Sequence, residues 1–177
     1  MSLFFQKLNI PDPNWNLDSI NIPSPSEIKF EKHFRNIDEI VPDDFLYKLK
    51  TVNLVPEYAR IFVWPRNFFG QWHIDGDIHL PRYSCMNWVL KGSGVIQFNG
   101  NIKLKESQTM WRAEGKLSSS DDDYESETTG HGYAINSGYC HRVATKEDGR
   151  TTISLSYDRR DVQFEIMIEK LKQVNLI

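Results

Sequence analysis

The chain has only two cysteines in 177 residues, Cys85 and Cys140. Two cysteines cannot build a multi-bridge disulfide framework, and no CxxC pair is present to seed a thiolate zinc site. Buried thiols in a reducing compartment are the simpler expectation. Basic runs are missing too: 21 Lys and Arg stand against 24 Asp and Glu, for a net charge of −3. That balance makes no electrostatic case for nucleic acid or an anionic membrane as a partner. No apolar stretch approaches transmembrane length. The opening MSLFFQKLNIPDPNW lacks the basic flank and long apolar run of a secretory signal. These absences predict an intracellular, cytoplasmic protein without membrane or nucleic-acid partners. Oligomeric state is left open.

Hydrophobic residues make up 40% of the chain and charged residues 25%, ordinary values for a globular domain. One domain over 1–177 is the simplest organisation at this length. Residues 1–30 carry Pro11, Pro13, Pro23 and Pro25, which predicts an extended wrapping segment. A helix is predicted from Pro42 to about Asn53, with Asp43 and Asp44 at its positive end and Phe45, Leu46 and Leu49 facing inward. From Tyr58 to Tyr157 the pattern becomes short strands: ARIFVWP, QWHID, YSCMNWVL, GVIQFNG, NIKLKE, TMWRAE, HGYAI and TTISLSY. The run from Leu117 to Gly130, containing SSSDDDYESE, reads as a polar acidic loop, either a solvated insertion or a lid over a substrate. A closing helix over 161–175 places Phe164, Ile168, Leu171 and Val174 on one face. The expected class is mainly β: a double-stranded β-helix (jelly roll, cupin-like) with a supporting helix before and after the strands.

Two stretches carry chemistry. In His73-Ile74-Asp75 an imidazole and a carboxylate occupy alternate residues, so a β-strand points both to one face. A second imidazole comes from His141, followed by an arginine, Arg150, which is expected to open a strand one hairpin later. His131 with Arg142 has similar spacing and competes for that role. Arg150 is favoured because it follows the turn sequence KEDG and leads a strand with two different faces. Arg150, Thr152, Ser154 and Ser156 share the polar face, while Ile153, Leu155 and Tyr157 share the apolar one. A polar inward face lines a pocket, whereas a purely structural barrel fills its interior with apolar side chains. His131 and His79 are then expected to be structural or surface residues, and Trp64, Trp72 and Trp88 to be core or cavity wall. Arg66 and Arg82 are expected near the mouth of the pocket, where they serve either an anionic substrate or solubility.

The series HIDG, RYSCMNWVL and GYCHRVATKEDGRTTISLS resembles the Fe(II)/2-oxoglutarate-dependent dioxygenase superfamily, nearest its small prolyl-hydroxylase-like and phage-type members. The resemblance covers about Arg60 to Tyr157 and leaves out the N-terminal segment and the last helix. It implies a jelly-roll core, Fe(II) held by His73, Asp75 and His141, and Arg150 pairing with the distal carboxylate of 2-oxoglutarate, with O2 as the other co-substrate. Two imidazoles and one carboxylate suit Fe(II) and leave coordination positions open. Arginine offers a planar, always-charged fork to a carboxylate. Thr152 stands where it can add a hydroxyl. Prolyl-hydroxylase-like members often hold 2-oxoglutarate with a tyrosine on the strand after the HxD motif, and Val89 stands there instead. Asn87 on the same face, or Tyr83, is the expected substitute. The implied reaction is hydroxylation of a C–H bond on a peptide or small-molecule substrate, with a prolyl or other amino-acid residue first. A cupin-like metalloprotein that does not use 2-oxoglutarate and a non-catalytic jelly-roll binding module are the alternatives.

Overall fold

A computed structural model describes residues 4–25, 29–75, 83–99, 104–107, 110–113, 123–157 and 162–177. The fold is mainly β. In chain order the elements are β1 (Phe5–Pro11), β2 (Phe30–Phe34), α1 (Asp43–Thr51), β3 (Tyr58–Trp64), β4 (His73–Ile74), β5 (Ser84–Phe98), β6 (Leu104–Ser107), β7 (Met110–Ala113), β8 (Asp123–Thr128), β9 (His131–Ile135), β10 (His141–Tyr157) and α2 (Phe164–Gln173). A short 3-10 turn at Ile37–Glu39 precedes α1.

The helices form where the sequence places them. Pro42 caps α1 from an extended conformation, Asp43 and Asp44 lie in its first turn, and Phe45, Leu46 and Leu49 are buried. In α2 the buried residues are Phe164, Met167, Ile168 and Leu171. Both helices pack on one face of the sheet, against Ala59 and Ile61 of β3, Met86 and Trp88 of β5, and Ile153, Leu155 and Tyr157 of β10. The predicted extended N-terminal segment contains β1, beside β9, and ends where β2 begins beside β3. Trp15, between them, sets its ring against Trp88 at 5.2 Å and Phe45 at 6.2 Å.

The expected YSCMNWVL and GVIQFNG strands are one long strand, β5, paired antiparallel along its length with β10. The KEDG stretch of β10 is a bulged part of that strand and makes no hairpin. Between the Thr145–Gly94 and Arg150–Gly92 pairs, β10 advances five residues while β5 advances two. Glycines absorb the distortion: Gly92 has φ +76° and Gly149 φ +67°, and a Cβ on Gly92 would lie 2.0 Å from the Gly149 carbonyl oxygen. Beyond the bulge the partners change. Residues 150–156 of β10 pair with β3, whereas His141 pairs with β4. Likewise β5 pairs with β9 over 85–88 and with β8 over 93–98. The two long strands thus run through both halves of the molecule.

One expectation is corrected by β8. Residues 123–128, inside the predicted acidic loop, are a strand paired with Ser93–Phe98. Ladders are built from backbone amides that nearly every residue carries, so an acidic composition does not preclude a strand. Residues 117–122 of that loop lie outside the described residues, as do Gly76, His79 and Arg82. No helix among the described residues is long and apolar enough to cross a membrane.

Gly132 of β9 lies against the helix-side core. A Cβ there would lie 2.4 Å from the fully buried indole of Trp88. Gly132→Ala is therefore expected to destabilise the fold by about 1–3 kcal/mol through overpacking, seen as a lower urea midpoint with an unchanged slope.

Candidate metal centre

On the face of the sheet away from the helices lies a cavity of about 760 Å³. Its wall includes His73, Asp75, Asn87, Ile96, His141, Val143, Arg150 and Ser154. The strands explain the gathering. His73 and His141 are register partners across β4 and β10, so their side chains leave the sheet side by side on one face. Asp75 follows two residues after His73, and its amide is tied to the Ser137 carbonyl at 3.1 Å.

The three side chains converge. Asp75 Oδ1 lies 3.3 Å from His73 Nε2 and 3.9 Å from His141 Nε2, and the ligand atoms all fall within 4.8 Å of one another. Each imidazole is oriented by a carbonyl two residues earlier. His73 Nδ1 is 2.7 Å from the Gln71 oxygen, and His141 Nδ1 is 2.8 Å from the Tyr139 oxygen. A carbonyl oxygen only accepts, so each Nδ1 donates its proton there and each Nε2 is the ring nitrogen turned toward the carboxylate. With both Nε2 atoms in the lone-pair form, the three groups together make a site for a cation. His73, Asp75 and His141 could hold a metal ion. A nitrogen–nitrogen–oxygen donor set without thiolate suits a borderline or hard divalent ion, and three protein ligands leave further positions for small molecules.

Arg150 lines the same cavity and is 1% exposed. Burial lowers its pKa from the usual arginine range to about 10, with Cys85 opposing the shift, so the guanidinium is charged at neutral pH. Its Nε donates to the Thr152 hydroxyl oxygen at 2.7 Å, which makes Thr152 a support for the arginine. Gly94 supplies the space: a Cβ there would lie 2.9 Å from Arg150 Cδ and 3.2 Å from Nη1. Asn87 is 8% exposed, and its Oδ1 has no hydrogen-bond partner among the described residues. Val89 is fully buried in an apolar cluster with Ile96 and Phe98, and Tyr83 is half-buried just before β5.

The rival pair is elsewhere. His131 on β9 lies 3.0 Å from the Gly130 carbonyl, and Arg142 stacks on Trp72 at 4.5 Å and bonds Gln97. Trp64 lines the cavity, Trp72 is buried and Trp88 belongs to the helix-side core. Arg66 is exposed. The residue that sequence reading passed over is Arg60. It lies on the cavity wall, and the alternation Arg60, Phe62, Trp64 in the ARIFVW strand was the available signal.

No family model and no curated protein matches the chain. Among solved structures, the X-ray structure of E. coli ycfD matches with 10% identity and a TM-score of 0.48. The match covers 96% of this chain and 46% of that one, so the chain spans less than half of that protein's length. The reading of the site rests on its own geometry.

His141→Ala is expected to weaken Mn(II) or Co(II) binding by more than about 100-fold, beyond the roughly 10–100-fold typical of losing an outer hydrogen-bond partner. Calorimetric titration reads the affinity, and an unchanged circular dichroism spectrum separates ligand loss from unfolding.

Proposed function

We propose that this protein is a non-haem Fe(II) oxygenase that uses 2-oxoglutarate, built on a jelly-roll barrel whose two halves share β5 and β10. The observation that carries the reading is a buried, charged arginine on the wall of the same cavity as three converging metal ligands. A metal site alone would need no guanidinium. A dicarboxylate that chelates a metal at one end needs a cation at the other.

With iron(II) bound, the chemistry supplied is decarboxylation of 2-oxoglutarate to succinate and CO2, coupled to hydroxylation of a substrate C–H bond by O2. His73, Asp75 and His141 fit that ion by donor type and by their imidazole orientations. Arg150 binds the distal carboxylate of the co-substrate; out of bulk water, the attraction between the two charges is stronger than at a surface. Thr152 and Gly94 position Arg150, one by accepting from Nε and the other by leaving room. The unpartnered Oδ1 of Asn87 accepts a hydrogen bond from a ligand group or a bridging water in the cavity. Ile96, Val143 and Ile135 give the wall apolar stretches that exclude bulk water from the reacting groups. The substrate is an amino acid, free or within a peptide, that enters beside Phe68 and the exposed Phe69.

Anaerobic Fe(II) plus 2-oxoglutarate is expected to produce a metal-to-ligand charge-transfer band in the visible; a folded protein that binds Fe(II) without the band would overturn the reading. Arg150→Ala should weaken 2-oxoglutarate by roughly 10- to 150-fold, the equivalent of one charge-assisted hydrogen bond at about 1.5–3 kcal/mol, and leave Mn(II) affinity intact. Gly94→Ala should also weaken 2-oxoglutarate, because the added methyl would meet Arg150 Cδ and the Ala144 carbonyl oxygen, each at 2.9 Å.

A further inference from the structure

Arg60 is a second guanidinium on the cavity wall, on β3, beside the strand that carries Arg150. Its side chain is only 12% exposed, yet it is poorly satisfied. Nη1 reaches Glu31 at 3.6 Å and Nη2 donates to the Ser156 hydroxyl at 3.3 Å, both long, while the buried Nε has no hydrogen-bond partner among the described residues. Glu31 is shared with His33, whose Nε2 sits closer to it at 2.8 Å. The guanidinium rests on the rings of Phe62 at 4.7 Å and Tyr58 at 5.4 Å, which hold its plane.

A register row connects Arg60 to a second under-used group. Ser154 of β10 pairs with Arg60 on one side and with Asn87 on the other, so the three share one face. Asn87 Oδ1 is a buried acceptor without a partner, and Arg60 Nε is a buried donor without one. Unsatisfied buried groups of opposite polarity in one cavity wall call for a ligand that brings both an anion and a donor. Glu31, also on that wall, adds a negative charge next to the positive one.

We infer that this flank of the cavity is the substrate subsite, and that the substrate is a free α-amino acid. Arg60 takes the α-carboxylate on its fork, Asn87 Oδ1 accepts from the α-ammonium, and Glu31, on β2 on the other side of Arg60, adds negative charge to the subsite. Arg60 is thus a specificity-determining residue. An internal peptide residue carries neither charge and would leave the same groups unmatched. The assignment rests on the oxygenase reading for the word substrate, but the binding site itself does not depend on metal or co-substrate.

The test is a calorimetric binding panel of the proteinogenic L-amino acids, their amides and their N-acetyl derivatives. It is run on protein alone and on protein with Mn(II) and 2-oxoglutarate. At least one free amino acid should bind at least about tenfold tighter than both its amide and its N-acetyl form. Arg60→Gln should remove that preference and Arg60→Lys should reduce it, both with wild-type Mn(II) affinity and thermal midpoint near wild type. Equal binding of the amide or the N-acetyl form, no binding by any free amino acid, or an unchanged preference in folded Arg60→Gln each overturns the inference. Because Mn(II) affinity and the charge-transfer band are measured separately, losing the oxygenase reading leaves this result standing or falling by itself.

Discussion

The antiparallel ladder between β5 and β10 is the constraint on which the rest depends. Both strands are long enough to belong to two different neighbourhoods, with β9 and β3 at one end and β8 and β4 at the other. Because the strands are continuous, the covalent chain and the backbone ladder together hold the two neighbourhoods at a set spacing. His141 sits at one end of β10 and Ser154 near the other, and the cavity lies along that span. Apolar burial then divides by face. Ile153, Leu155 and Tyr157 go to the helices, which leaves the polar residues between them for the cavity.

The cavity concentrates opposite demands in a small volume. At one place two imidazoles and a carboxylate converge and could hold a cation; at others, guanidinium groups are held largely out of water and favour anions. Burying charge is costly, and a ligand of opposite charge offsets that cost. The supporting contacts are local and inexpensive: two backbone carbonyls orient the imidazoles, one threonine hydroxyl steadies Arg150, and one missing side chain at Gly94 makes space. Positioning is therefore delegated to strands and turns, which are rigid, and chemistry to a few side chains.

Much of this was legible in the sequence because it depends on short-range periodicity. The HxD spacing, the two-faced strand after Arg150 and the apolar faces of both helices all follow from the two-residue and 3.6-residue repeats. What was illegible depends on pairing between distant segments. Nothing local says that His73 and His141 are register partners, or that Ser154 links Asn87 to Arg60. The acidic run around Asp123 hid a strand because its side chains advertise solvent while its backbone pairs with β5. KEDG looked like a hairpin turn because turn residues and bulge residues are the same residues.

The bulge at 146–149 also has a bearing on how such a chain tolerates change in length. His141 and Arg150 are an odd number of positions apart, so on an uninterrupted strand they would point to opposite faces. The excess that β10 accumulates between its pairs with Gly94 and Gly92 is also odd, and this restores both side chains to the cavity. A single-residue insertion or deletion there would exchange the faces of everything downstream, sending Arg150 toward the helices and Ile153 into the cavity. A two-residue change would preserve parity. The number of residues in the bulge is therefore constrained together with His141 and Arg150, although none of residues 146–149 lines the cavity.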